Sequence, residues 1–265
     1  MDDLGYHDAL AMLDWQIELG ADEAILDAPV DRFDLSDAAQ AAQGPVAPPP
    51  KPVMIADAPA TLAVDAVALA ERAAAAAHDL AALRMALEGF DLCPLAQTAT
   101  RLVFADGRSD ARVMIVTDAP RREEDQQGRP IVGVEGKLLD RMLAAIGLSR
   151  GGDGAARPVY VAPMIPWRPP QDRPPTPEEM AMLVPFMRRH IALISPEVLV
   201  LMGNHGCQGL LGHSGIIRLR GTWAKVLDRP AIAMLSPEHL LRKPADKALA
   251  WADLLALKAR LDGPR

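Results

Sequence analysis

Cysteine is almost missing from this chain: Cys93 and Cys207 are the only two in 265 residues, and they have no ladder spacing. Their scarcity excludes a disulfide framework and a zinc site made by cysteines alone. Also missing is any run of about eighteen apolar residues, the least that a membrane-crossing helix needs. The first residues, MDDLGYHDA, are acidic where a signal peptide is basic. A cytoplasmic protein with no membrane partner is expected. Basic residues are scarce too, but only at one end. Residues 1–80 hold 3 Lys+Arg against 15 Asp+Glu, whereas residues 81–265 hold 25 against 20, so an acidic arm precedes a mildly basic body. That asymmetry suits a nucleic-acid-binding domain with an acidic tail, and equally a tail that only solubilises.

The arm divides by pattern. Leu10, Leu13, Ile17 and Leu19 fall at roughly helical spacing before Gly20, so residues 1–20 are expected to hold a short amphipathic helix, a candidate protein-partner segment. Residues 21–58 are acidic and then Pro-rich (AAQGPVAPPPKPV), a partly disordered linker. Residues 59–89 are Ala- and Leu-rich, with one long lead-in helix expected from Thr61 to Glu88.

Beyond it, apolar runs of strand length alternate with helical patterns. VMIVTDA at 113, PVYVAPMI at 158, EVLVLMG at 197 and AIAMLS at 231 are separated by helices expected at about Gly136 to Ile146, Pro177 to Ile194 and Asn204 to Leu211. Continuous apolar strands imply a parallel sheet covered on both faces, with ligands outside its C-terminal strand ends. The loops there are TDAPRREEDQQGRPIVG, PMIPWRPPQDRPPTPEE, GNHGCQG and SPEHLLRKP. The first holds six charged residues in its first nine. Arginines in such loops either contact phosphates or are ordinary solvated surface charges.

Taken in order with RLRGTWAKV at 218, these loops resemble the family 4 uracil-DNA glycosylases over roughly residues 84–258. The resemblance implies a uracil-DNA glycosylase-like domain over residues 90–265, a three-layer α/β/α sandwich around a four-stranded parallel sheet. It also implies descent from an enzyme that extrudes a nucleotide and cleaves its C1′–N1 bond. The family's Gly-Glu-Ala-Pro-Gly turn places Asp118 at the glutamate and Arg121 at its second glycine. Its stacking aromatic falls at Ile131, its base-reading asparagine at Pro163, and the histidine of its His-Pro motif at Ser236, three residues before His239. Asp118 and Ser236 are thus the candidate catalytic residues, and Ala119, Pro120, Ile131 and Pro163 the candidate base pocket. Arg121, Arg168, Arg173, Arg242 and Lys243 are the candidates for the DNA backbone. The four cysteines of the family's 4Fe-4S cluster fall at Phe90, Cys93, Trp167 and Leu183, so no cofactor is expected and apolar packing in its place. Because the replacements fall on chemistry while turn residues such as Gly128, Arg129, Pro130 and Gly133 persist, the main expectation is a DNA-repair protein with lost or strongly reduced uracil excision. It would keep binding of single- or double-stranded DNA, or a regulatory role. The alternatives are an active glycosylase with Asp118 as the water-positioning carboxylate, and a protein-interaction module that does not bind DNA.

Overall fold

The computed structural model describes residues 65–151 and 156–263. The helix expected within residues 1–20 and the linker at 21–58 lie outside the described residues. In place of one helix up to Glu88 there are two, α1 (Ala66–Ala76) and α2 (Leu80–Glu88). The break has a local cause. Asp79 is extended (φ −144°, ψ 178°) and its carboxylate accepts the Ala82 N–H at 2.7 Å, capping α2. An Asp offers the backbone this competing bond, which the alanine-rich pattern conceals. Across the break, Arg189 Nε donates to the Ala77 carbonyl at 2.7 Å. Ala70, Ala74, Ala77, Leu83 and Leu87 are buried with the main core.

A five-residue helix, α3 (Pro94–Thr98), leads to β1 (Asp106–Gly107) and β2 (Val113–Thr117), all five residues of β2 being buried. There follow α4 (Arg122–Gln127), α5 (Gly133–Ala144), β3 (Leu148–Ser149) and β4 (Arg157–Pro163). The remainder is α6 (Pro177–Ile194), β5 (Val198–Met202), α7 (Asn204–Leu211), α8 (Ile216–Leu219), β6 (Trp223–Val226), β7 (Arg229–Met234), α9 (Pro237–Arg242) and α10 (Lys247–Asp262). α6 begins at a capping box: the Thr176 hydroxyl accepts from Glu179 N–H at 3.2 Å, and Glu179 Oε2 accepts from Thr176 N–H at 2.8 Å.

The expected four parallel strands form the centre of the sheet, in the order β4-β2-β5-β7, with Val113 opposite Val159 and Val198. The sheet is wider than expected and mixed: β1 and β6 pair antiparallel on its two edges, and β3 pairs with the start of β4. Side chains alternate across it. Met114, Val116, Tyr160, Leu199 and Leu201 pack toward α1, α2 and α6. Val113, Ile115, Val161, Val200 and Ile232 pack toward α5 and α10. The result is the three-layer α/β/α arrangement. Its parallel strands end together at Thr117, Pro163, Met202 and Met234, which brings the charged loops to one edge. Among the described residues no helix is long and apolar enough to cross a membrane.

Candidate active site

The chain leaves β2 through Asp118, whose carboxylate lies against the start of α7. Its Oδ1 accepts the backbone N–H of His205 at 2.7 Å. A helix N-terminus offers such N–H groups because they have no partner within the helix. Close approach is possible because the residue before α7 is Gly203, at φ 122°, where an added Cβ would collide with the Asp118 carboxylate. His205 also braces the turn: its Nδ1 accepts from Ala119 N–H at 3.2 Å. That bond requires the lone pair on Nδ1, so the neutral ring carries its proton on Nε2. The 3.5 Å approach of Nδ1 to Asp118 Oδ1 is then a contact without a shared proton. The Asp118 side chain keeps 37% of its surface exposed, yet desolvation by the surrounding protein is the largest influence on it and raises its pKa above the ordinary carboxylate range, against the hydrogen bonds of the His205 and Asn204 amides.

The turn that follows is organised by a glutamate. Glu124, buried on α4, accepts from Arg121 N–H at 2.7 Å and from Ile131 N–H at 2.5 Å. Ile131 has φ 46°, a conformation that costs a β-branched residue energy. Its carbonyl is held from the other side by Arg150 Nη1 at 3.0 Å. The residue is only 5% exposed, and its side chain joins Leu139 and Leu143 in the core beneath α5, which leaves little surface to present to a base. Pro120 and Pro163 are also buried, with Pro163 in register with Thr117.

Ser236 stands at the end of β7 and caps α9, its hydroxyl accepting from His239 N–H at 3.3 Å. His239 is engaged elsewhere, with Nε2 at 2.5 Å from Asp246 Oδ2. The arginines fall into two groups. Arg173 donates two parallel bonds to the carboxylate of Glu179, 2.9 and 2.6 Å, and Arg168 does the same to Asp172, 2.7 and 3.2 Å. Both brace the loop after β4. Arg121 reaches across to Glu238 on α9 at 2.5 Å, with Arg242 3.4 Å from the same oxygen, while Lys243 is exposed.

Sequence reasoning singled out neither His205, Gly203 nor the carboxylates of Glu124, Glu135 and Glu238. Glu135, in the first turn of α5, is pushed up to about 7, first by burial and then by the charges of Glu124 and Glu238. The folded state therefore binds a proton that the unfolded chain releases near the ordinary Glu value of about 4.3. Stability falls as pH rises through that window. Glu135→Gln removes the effect: denaturant titrations should show the variant gaining on wild type between pH 5 and pH 8. A constant difference across that range would remove Glu135 from this role.

The positions at which the resemblance sets cluster ligands are occupied by four buried side chains of one apolar cluster, Phe90, Cys93, Trp167 and Leu183. Phe90 meets Phe186 edge-on, with ring centroids 5.2 Å apart. Cys93 is a free thiol whose pKa is raised by burial, and among the described residues no three His, Cys, Asp or Glu gather as a metal site. These four side chains do not by themselves fit the ligation of an iron-sulfur cubane, which takes four thiolates.

The uracil DNA glycosylase superfamily model matches residues 104–255. The type-4 uracil-DNA glycosylase of Archaeoglobus fulgidus is 35% identical over 163 residues, 57% of this chain and 78% of that protein. That of Thermotoga maritima is 33% identical over 158 residues, 58% of this chain and 79% of that protein. That of Pyrobaculum aerophilum is 31% identical over 149 residues, 56% and 70% of the two chains. This corrects the expectation of no cofactor. The relatives are of type 4, the kind that binds a 4Fe-4S cluster, and identities of 31–35% over more than half the chain remove the ground for excluding one. The match spans the strand ends that carry Asp118, Pro163, His205 and Ser236, and the chain belongs to the uracil-DNA glycosylase superfamily.

Proposed function

We propose that the chain is a DNA glycosylase that hydrolyses the N-glycosidic bond of uracil or another damaged base, with Asp118 as the carboxylate of the reaction. The observation that carries this reading is the Asp118 carboxylate at the C-terminal end of β2, one oxygen fixed by the His205 N–H. In the reaction a water oxygen bonds to C1′ as the C1′–N1 bond breaks; the bonding pair leaves with the base, and the proton that the water gives up ends on that base. A carboxylate at that point orients the water and offsets positive charge on the sugar. His205 acts as a positioning residue, gripping both Asp118 and Ala119. Ser236 offers a hydroxyl to the departing base, although that hydroxyl already accepts the α9 cap bond. Of the expected base pocket only Ala119 is part-exposed, whereas Pro120, Ile131 and Pro163 are buried and shape the wall behind it; none offers edge reading, which fits a target class wider than one base.

The relatives' names favour this reading over lost excision, and the described geometry leaves the carboxylate in place. DNA, single- or double-stranded, is the partner, and Arg121, Arg242 and Lys243 are its backbone contacts. Arg168 and Arg173, spent on Asp172 and Glu179, act by shaping their loop. The test is a gel assay on oligonucleotides carrying a single uracil or another deaminated base. Alkali-labile abasic product from the purified full chain is the expected result. Salt-dependent DNA binding without product on any of these substrates would establish the inactive reading instead.

A further inference from the structure

The ion pairs of the strand-end loops are not equivalent. Arg173 and Glu179 use two nitrogens and two oxygens, and the Glu179 side chain is 4% exposed and also takes a cap bond. By contrast, Arg121 places one nitrogen on one oxygen of Glu238, and Arg242 shares that oxygen from one helical turn away. The two guanidinium side chains are 53% and 66% exposed, while Glu238 is 28% exposed. Two arginines, one from the turn after β2 and one from the last residue of α9, thus converge on one anionic oxygen with their outer faces open. That is the geometry in which guanidinium groups receive a phosphate oxygen.

We propose that Arg121 and Arg242 form a phosphate site of the DNA backbone that Glu238 holds shut in the free protein, standing in for the phosphate until DNA displaces it. The inference rests on the proposal that DNA is the partner, and it adds how the site is gated. Exchange is inexpensive. An exposed, single-point ion pair contributes little, whereas a phosphate offers several oxygens to both guanidinia. The anion supplied by DNA replaces the one that leaves, so the arginines never face each other without a counter-charge. Arg121 stands where the family has a glycine, so its pairing with Glu238 joins the loop that bears Asp118 to the loop that bears Ser236.

Binding of the full chain to an undamaged fluorescent oligonucleotide, measured by anisotropy across a salt series, tests the gate without requiring catalysis. Glu238→Gln is expected to tighten binding about three- to tenfold, the worth of releasing one exposed ion pair. Arg121→Gln and Arg242→Gln should each weaken binding and flatten the logarithmic salt slope by about 0.7 to 0.9. The decisive comparison is Glu238→Gln in the Arg121→Gln/Arg242→Gln background, where the gain should vanish. Persistence of the gain there would make Glu238 a general repulsive charge and overturn the latch, as would unchanged or weaker binding by Glu238→Gln in the wild-type background. Glu238→Asp, which keeps the charge and shortens its reach, gives an intermediate gain and covers a folding defect in the amide variant. Absence of salt-dependent binding in wild type and every variant would instead sink the DNA reading, and the latch with it.

Discussion

Asp118→Asn should reduce abasic-site formation about 10²- to 10³-fold and leave DNA affinity and melting temperature near those of wild type. The substitution keeps the side-chain shape and an oxygen that can still accept the His205 N–H, so it removes charge with little change in packing. It also carries a pH signature. Burial raises the Asp118 pKa, so the acid limb of the wild-type rate profile lies above the usual carboxylate value of about 3.9. The rate rises with pH as the carboxylate ionises, and the Asn variant lacks that limb. Asp118→Glu complements the test by restoring the length of the family's residue; faster excision would show that the shorter carboxylate limits the rate. Full activity in Asp118→Asn would mean that the chemistry runs through another group.

The central strands were legible because each is buried on both faces over most of its length and therefore carries an apolar run, as in VMIV and VLVLM. α6 was legible to the residue, since Thr176, Pro177 and Glu179 announce its start. The edge elements were not. β1 is two residues long, and its Gly107, at φ 100°, lies where an added Cβ would strike the Val159 carbonyl. β6 and β7 turn through Leu227 and Asp228, both at positive φ, where a hairpin usually announces itself by Asn or Gly. The pattern of the 61–88 segment carried its helical character but not the Asp79 cap that divides it.

The candidate site shows a similar division. Asp118 could be singled out in the sequence because the turn that carries it is a local motif. His205 was not, because its meaning depends on contacts with Ala119 and Asp118, 86 and 87 residues away in sequence. The arginines were readable as charges but not as partners. Only the fold shows that Arg168 and Arg173 are consumed by Asp172 and Glu179, whereas Arg121 and Arg242 share Glu238. Ile131 matched an aromatic by alignment, yet its positive φ and burial beneath α5 turn it inward.

Gly203→Ala is the second large effect and separates strain from displacement. At φ 122° and ψ −178° the residue occupies a region nearly exclusive to glycine, so alanine should cost about 1–3 kcal/mol of stability. Its Cβ would also collide with the Asp118 carboxylate, which must move off the α7 amides. A shift of about 1 Å at a reacting group can cost about 10²-fold in rate, so excision should fall far more than stability explains. Gly212→Ala is the control. It lies at the other end of α7, has φ 75°, and an added Cβ there meets nothing within 4 Å. Backbone strain of about 1–2 kcal/mol is expected without any displacement of Asp118. Denaturant titrations should place the two variants within a few kcal/mol of each other, while the gel assay at a temperature where both are folded should separate them by about two orders of magnitude. Equal excision by the two would show that the reaction does not depend on where α7 holds the Asp118 carboxylate.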